Sequence, residues 1–142
     1  KGIVAYDNPY SMWTVGLPQE DYQNVVLKEA DLVIAIGYDL VEFAPRKWNP
    51  DGNHKIIHID TRGSHINKLY QPDIEVIGDI SDALTRILKR CGQTKENKRF
   101  EQIKEMMEEE YQSYKSDFSF PMKPQKILYD IREVLKREKE KK

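Results

Sequence analysis

Cys91 is the single cysteine among 142 residues, so no internal disulfide can form, and no second cysteine or histidine stands at ligand spacing around it. That usage suits a reducing cytoplasm. Long hydrophobic runs are also missing. The most apolar continuous stretch, residues 32–36, is far too short to cross a bilayer, and the first residues lack the basic-then-apolar layout of a secretion signal. No membrane partner is expected. Charge of one sign is absent: 23 Lys+Arg oppose 24 Asp+Glu, for a net charge of -1, so the basic footprint of a nucleic-acid binder is missing over the chain as a whole. Only residues 136–142 are locally basic. There is neither a GxGxxG fingerprint nor a Walker sequence. An initial Met is lacking too, since the chain opens on Lys1-Gly2, and the expectation is a piece of a longer protein.

What is present is a recurring apolar strand that ends in a turn-forming polar residue. Residues 32–36 follow Asp31 and stop at Gly37, as a strand buried on both faces of a parallel sheet would. Lys55-Ile56-Ile57-His58-Ile59 ends at Asp60, and Ile74-Glu75-Val76-Ile77 ends at Gly78-Asp79. Helical patterns alternate with these strands. In residues 19–30, Tyr22, Val25, Val26 and Ala30 share a face, with Glu20 and Asp21 in the first turn. Ser81 is the expected N-cap of a second helix carrying Leu84, Ile87, Leu88 and Cys91, with Gly92 at its left-handed end. The fold class predicted is α/β: a Rossmann-like, mostly parallel sheet flanked by helices, followed by C-terminal helices.

From Gln93 the composition turns to Lys, Glu, Gln and Asn, which marks a boundary. Phe100, Ile103, Met107, Tyr111 and Tyr114 form one face of a long charged helix. Residues 116–123 read as an irregular connector, and Pro124 as the first position of a last helix with Ile127, Leu128, Ile131, Val134 and Leu135. The predicted divisions are residues 1–92, 93–123 and 124–142.

In open parallel sheets, ligands sit beyond the carboxyl ends of the strands. Three such ends occur here, at Gly37-Tyr38-Asp39, Asp60-Thr61-Arg62-Gly63 and Gly78-Asp79-Ile80-Ser81. Glycine lets a ligand approach the backbone, and a strand-end acid can accept bonds from ribose hydroxyls. Gly37, Tyr38, Asp60, Gly78 and Asp79 are therefore the candidate ligand positions, against a plainer reading as turns and caps. His54 and His58, four apart on a strand, lie too far apart for one ion, and His65 has no carboxylate cluster beside it. Hydrogen-bonded or solvated imidazoles are expected, with no metal site. Asp39, Glu42, Asp60 and Asp79 have no nucleophile or oxyanion site at recognisable spacing, so no catalytic residue is assigned.

The ordered string Ala30-Asp31-Leu32-Val33-Ile34-Ala35-Ile36-Gly37-Tyr38-Asp39, Val41-Glu42-Phe43, Trp48-Asn49-Pro50, Lys55 to Asp60, Tyr70-Gln71-Pro72-Asp73 and Gly78-Asp79-Ile80 resembles the central domain of thiamine-diphosphate enzymes. Lys1-Gly2-Ile3 and Gly16-Leu17 belong to the same pattern, which is closest to acetolactate synthases. The resemblance implies a partial central domain whose opening β-α unit is missing, with residues 123–135 similar to the first helix of the third domain. It implies a parent that condenses 2-oxo acids with loss of carbon dioxide from pyruvate. Thiamine diphosphate and Mg²⁺ would be held by the first and third domains, not by this chain, which alone is expected to be inactive. A related decarboxylase or acyl-CoA lyase, a stand-alone nucleotide-binding module and an interaction domain remain open alternatives.

Flavin-bearing relatives are expected to place an arginine and two adjacent acids soon after the first strand-end glycine. Residues 37–49 resemble the flavin-independent type instead, so FAD is not expected, although Asp60 and Asp79 match positions that face the dinucleotide in flavin-containing relatives. The implied partners are the other domains of the parent and further copies in a homo-oligomer. An edge left beside the first strand is expected to make an isolated chain dimerise.

Overall fold

Three short parallel strands form the sheet, because each apolar run is followed by a connection long enough to carry the chain back to the starting edge. The computed structural model describes residues 3–15, 21–92 and 97–140. The expectations for Lys1, Gly2, Gly16, Leu17, Glu20 and Gln93 lie outside the described residues. The chain divides into two units, residues 1–96 and 97–142.

In the first unit, α1 (Tyr22–Glu29) precedes β1 (Leu32–Ile36), β2 (Lys55–Asp60), β3 (Ile74–Ile77) and α2 (Ile80–Leu88), and the strand order is β1-β2-β3. The α/β class is as expected, but the crossovers differ from the predicted alternation. Residues 37–54 hold only a 3-10 turn at Pro45–Lys47, and no helix joins β2 to β3. Prolines and Gly52 interrupt any helix in the first connection, which instead delivers the buried ring of Trp48 to the sheet.

Strand register fixes the faces. Val33 pairs with Ile56, Ala35 with His58, and His58 with Glu75, so these side chains share one face. There Ala35, Ile56, Trp48 and Tyr70 form the buried cluster, with Leu27, Tyr38, Leu40 and Phe43 packed against it. The other face carries Ile59, almost wholly buried, with α2 packed against β2. Burying Ile56 and Ile59 contributes about 1.5–3 kcal/mol each. β1 is not covered on both faces as expected: Leu32, Ile34 and Ile36 remain 42%, 48% and 45% exposed. All three share the Ile59 face, where α2 packs against β2.

Caps define the helix starts. Asp21 accepts from Asn24 N at 3.0 Å, which makes it the N-cap of α1 rather than a first-turn acid. Asp79, not Ser81, caps α2, by accepting from Asp82 N at 2.8 Å. Gly92 is not the left-handed terminus: α2 ends at Lys89 in right-handed geometry, with residues 89–91 bonded back to Thr85 and Ile87. His54 ties α1 to the first crossover, its ring nitrogens lying 2.9 Å from Asn49 Oδ1 and 2.8 Å from Leu27 O.

The second unit holds α3 (Lys98–Ser113), a 3-10 turn at Tyr114–Ser116 and α4 (Pro124–Glu140). Ile103 and Met107 are buried as the α3 pattern predicts, and the Tyr111 and Tyr129 rings meet at 5.0 Å. On α4 the seam that is buried runs through Lys126 and Tyr129, leaving Ile127, Leu128, Ile131, Val134 and Leu135 exposed. Lys126 Nζ bonds Asp130 at 2.6 Å and Lys115 O at 3.3 Å, and lies 5.5 Å and 5.8 Å from the Phe118 and Tyr129 ring centres.

Candidate ligand site at the strand ends

Gly37 ends β1 with φ +57°, a left-handed turn that glycine adopts without strain, and its N–H donates to Ile59 O at 3.0 Å. The turn brings Tyr38 against the aromatic cluster. The Tyr38 hydroxyl donates to Phe43 O and accepts from Trp48 Nε1 at 3.0 Å. Burial pushes that hydroxyl's pKa up, with the Trp48 bond working in the opposite direction. Its ring lies 5.2 Å from that of Tyr70.

Tyr70 and His58 are both buried. His58 Nε2 lies 3.2 Å from Arg62 O, which can only accept, so the proton is assigned to Nε2. Nδ1 is then the acceptor for the Tyr70 O–H at 2.9 Å. Burial, followed by the negative fields of Tyr38, Glu75 and Asp60, pushes the Tyr70 pKa up to about 12.

Asp60 closes β2 and organises the loop after it. Its Oδ1 accepts from Thr61 N at 2.5 Å, Thr61 Oγ1 at 3.1 Å and Arg62 N at 3.3 Å. Lost hydration works to raise the Asp60 carboxyl pKa, but the Thr61 and Arg62 bonds together outweigh it and hold the group below the usual carboxylate range. Further along the loop, Ser64 N donates to Glu75 Oε1 at 2.7 Å. The nearby Ser64 hydroxyl, ahead of this N–H, holds the Glu75 carboxyl low. That hydroxyl is screened from water without a fully formed hydrogen bond.

These segments enclose a cavity of about 300 Å³ beyond the carboxyl ends of β1 and β2. Its walls include Tyr38, His58 and Tyr70, and its rim is Asp60 with residues 62–65. Of the five positions singled out in the sequence, Gly37, Tyr38 and Asp60 line this cavity. Gly78 and Asp79 stand at the end of β3, outside its lining, and Asp79 is occupied as the α2 cap. His58 and Tyr70 were not foreseen as a pair. The available signal was a histidine interrupting the apolar run of β2.

Among the described residues no three His, Cys, Asp or Glu side chains gather to hold a metal ion. The carboxylates of the cavity lining are Asp39 and Asp60, and the Oδ1 of each already accepts backbone N–H groups of its own loop, so this oxygen set does not fit a metal-bound diphosphate. No helix among the described residues is long and apolar enough to cross a membrane.

Residues 1–87 match the family model described as "Thiamine pyrophosphate enzyme, central domain". An acetolactate synthase of Bacillus subtilis is 36% identical over 121 residues, covering 80% of this chain and 21% of that protein. A catabolic acetolactate synthase of Raoultella terrigena is 40% identical over 76 residues, covering 54% of this chain and 13% of that protein. A probable acetolactate synthase large subunit of Methanocaldococcus jannaschii is 31% identical over 141 residues, or 95% of this chain and 23% of that protein. The chain thus spans about a fifth of the relatives that match most of it. With the model covering more than half of its residues and the parallel α/β sheet in agreement, the chain belongs to the thiamine pyrophosphate enzyme family through its central domain.

Proposed function

We propose that the chain is a segment of an acetolactate synthase-like enzyme that condenses 2-oxo acids, with decarboxylation of pyruvate. One observation carries the reading. The Bacillus and Methanocaldococcus relatives cover 80% and 95% of this chain, and so run beyond the 87 residues common to the wider family. In this reading residues 1–92 are a partial central domain, 93–123 a linking helix and connector, and 124–142 the start of the diphosphate-binding domain. Thiamine diphosphate, when bound with Mg²⁺, supplies the electron sink for decarboxylation and is seated by other domains of the parent.

This chain's own contribution is positional. Gly37, Tyr38 and Asp60 line a strand-end ligand pocket, while Gly78 and Asp79 close the neighbouring strand end. FAD is not its ligand in this reading: Tyr38 spends its hydroxyl internally, and the crossover offers few donors for a diphosphate. The parent is a cytoplasmic homo-oligomer. The test is the complete polypeptide supplied with pyruvate, thiamine diphosphate and Mg²⁺. Acetolactate formation with matching carbon dioxide release is expected; release of an aldehyde without carboligation would refute the reading. Calorimetric titration of this chain alone should give no saturable thiamine diphosphate binding, and the purified chain should be colourless.

A further inference from the structure

We propose that His58 is a proton-operated latch between the aromatic wall of the strand-end cavity and its rim: the neutral ring ties the Tyr70 hydroxyl to the 61–65 loop, and the protonated ring keeps the loop but releases the hydroxyl. The inference goes beyond the reading given above and needs neither the carboligation chemistry nor any particular ligand. Histidine is the side chain whose charge ordinarily changes between about pH 5 and pH 8. Here the neutral ring makes one bond of each kind. Nε2–H donates to Arg62 O at 3.2 Å on the rim side, and Nδ1 accepts from the Tyr70 O–H at 2.9 Å on the wall side. His58 is 3% exposed and Tyr70 1%, so water does not stand in for either partner.

Proton uptake at Nδ1 treats the two bonds differently. The lone pair that received the Tyr70 proton is consumed, and Nδ1–H becomes a donor facing a donor. The Tyr70 hydroxyl can meet it only by turning its own proton away, and among the described residues that hydroxyl bonds no other group. A buried donor left without an acceptor is costly. The bond from Nε2–H to the Arg62 carbonyl, by contrast, becomes charge-assisted and stronger. The ring therefore stays with the rim. The backbone at Tyr70 does not follow the change, because its N and O both pair with Asn67 at 3.1 Å, and the release is confined to the side chain.

The charged groups around the ring divide between the two states. Asp60 ends the same strand and Glu75 is the register partner of His58 on β3, and both carboxylates lie close enough to feel the charge of the ring. They favour the imidazolium. Both also fasten the rim, Asp60 through Thr61 N and Arg62 N, and Glu75 through Ser64 N, so the new charge arrives where the loop is already held. Asp39, beyond the end of β1, adds a third carboxylate to the cavity lining. Opposing the charge are burial of the ring, the Arg62 guanidinium and His65. The last two belong to exposed rim residues, where solvent and salt screen them. Tyr38 remains outside the exchange, its hydroxyl bonded to Phe43 O and Trp48 Nε1.

The test is a pH titration of the 142-residue chain by NMR, following the His58 ring, the Gly63 and Ser64 amides and the Tyr70 ring from about pH 8 to about pH 5. All three sets of signals should move on one shared curve, with the ring nitrogens reporting the Nε2–H tautomer at its alkaline end. His65→Gln, at an exposed rim position, should leave that curve in place, which separates His58 from the neighbouring histidine. Tyr70→Phe keeps the aromatic ring and removes the opposing donor, so His58 should take up its proton about one pH unit higher than in the wild type. A rim and a Tyr70 ring that ignore the His58 curve would overturn the latch, as would an Nδ1–H tautomer at the alkaline end. Loss of the rim response in His65→Gln, or an unchanged His58 midpoint in Tyr70→Phe, would overturn it too. So would a His58 ring that stays neutral until the fold is lost.

Discussion

Replacing Tyr70 by Phe removes one oxygen from a buried pair and leaves the aromatic packing in place. The ring would still meet Tyr38 at 5.2 Å and Trp48 at 6.2 Å. The loss is the 2.9 Å bond to His58 Nδ1, whose partner is buried and whose other nitrogen faces Arg62 O. A buried acceptor stripped of its donor costs about 1–3 kcal/mol, and the lack of a second partner places the expectation near 2 kcal/mol. Both tryptophans lie in the first unit, so urea unfolding followed by tryptophan emission reads the loss there. His58→Leu combined with Tyr70→Phe removes donor and acceptor together, and the pair should be sub-additive by about 1 kcal/mol. A cost below about 0.5 kcal/mol, or strict additivity, would falsify the closed pair. pH supplies an independent reading. Because folding raises the Tyr70 pKa to about 12, the protonated form is favoured in the native state. Its stabilisation is complete below the ordinary tyrosine value and is lost as pH climbs toward about 12. Tyr70→Phe should flatten that alkaline slope, leaving a remainder from Tyr38, which shifts in the same direction.

Gly52→Ala should destabilise the first unit more than Gly37→Ala in the same urea assay. Both have positive φ, but a Cβ at Gly52 would meet Lys68 O at 3.0 Å, against only Ile80 Cδ1 at 3.7 Å for Gly37, where about 1 kcal/mol of backbone strain is expected. Lys126→Met keeps the buried stem but removes the ammonium from its ring, carbonyl and Asp130 contacts. It should cost about 1 kcal/mol, seen as faster amide exchange along α4. Asp117 bonds Lys123 at 2.8 Å and also accepts from Ser119 N, and these bonds hold its carboxyl well below the usual range. Its contribution is present above the ordinary carboxylate pKa and is lost as pH falls. Asp117→Asn should therefore flatten the acid limb of the second unit's stability, read by amide exchange.

The three strands were legible because each is a short apolar run closed by a turn residue, a signal that survives in one dimension. Their order was not, since parallel pairing is set by which edges meet across the crossovers. The choice of cap shows a finer limit. Asp79 and Ser81 are both good capping residues two positions apart, and the decision falls to the backbone leaving β3, where Gly78 N bonds Asp60 O at 2.9 Å. Asp79 follows that tie and takes the Asp82 N–H, so α2 starts at Ile80, earlier than its apolar pattern suggests.

The cavity was half legible for a related reason. Gly37, Tyr38 and Asp60 stand at strand ends and announce themselves by position, but the wall depends on Tyr70, twelve residues beyond His58 and reached through a loop without regular structure. Asn49 is the hidden determinant of that loop. It is buried, bonds Leu69 O through Nδ2 at 2.8 Å, and meets the His54 ring through Oδ1 at 2.9 Å. One asparagine thus ties the first crossover to the residue before Tyr70, while His54 carries the connection on to Leu27 in α1. A polar residue in a Trp-Asn-Pro turn reads in sequence as a surface loop. It is buried here because its amide satisfies two neighbouring segments at once, and the aromatic wall of the ligand pocket stands on that junction.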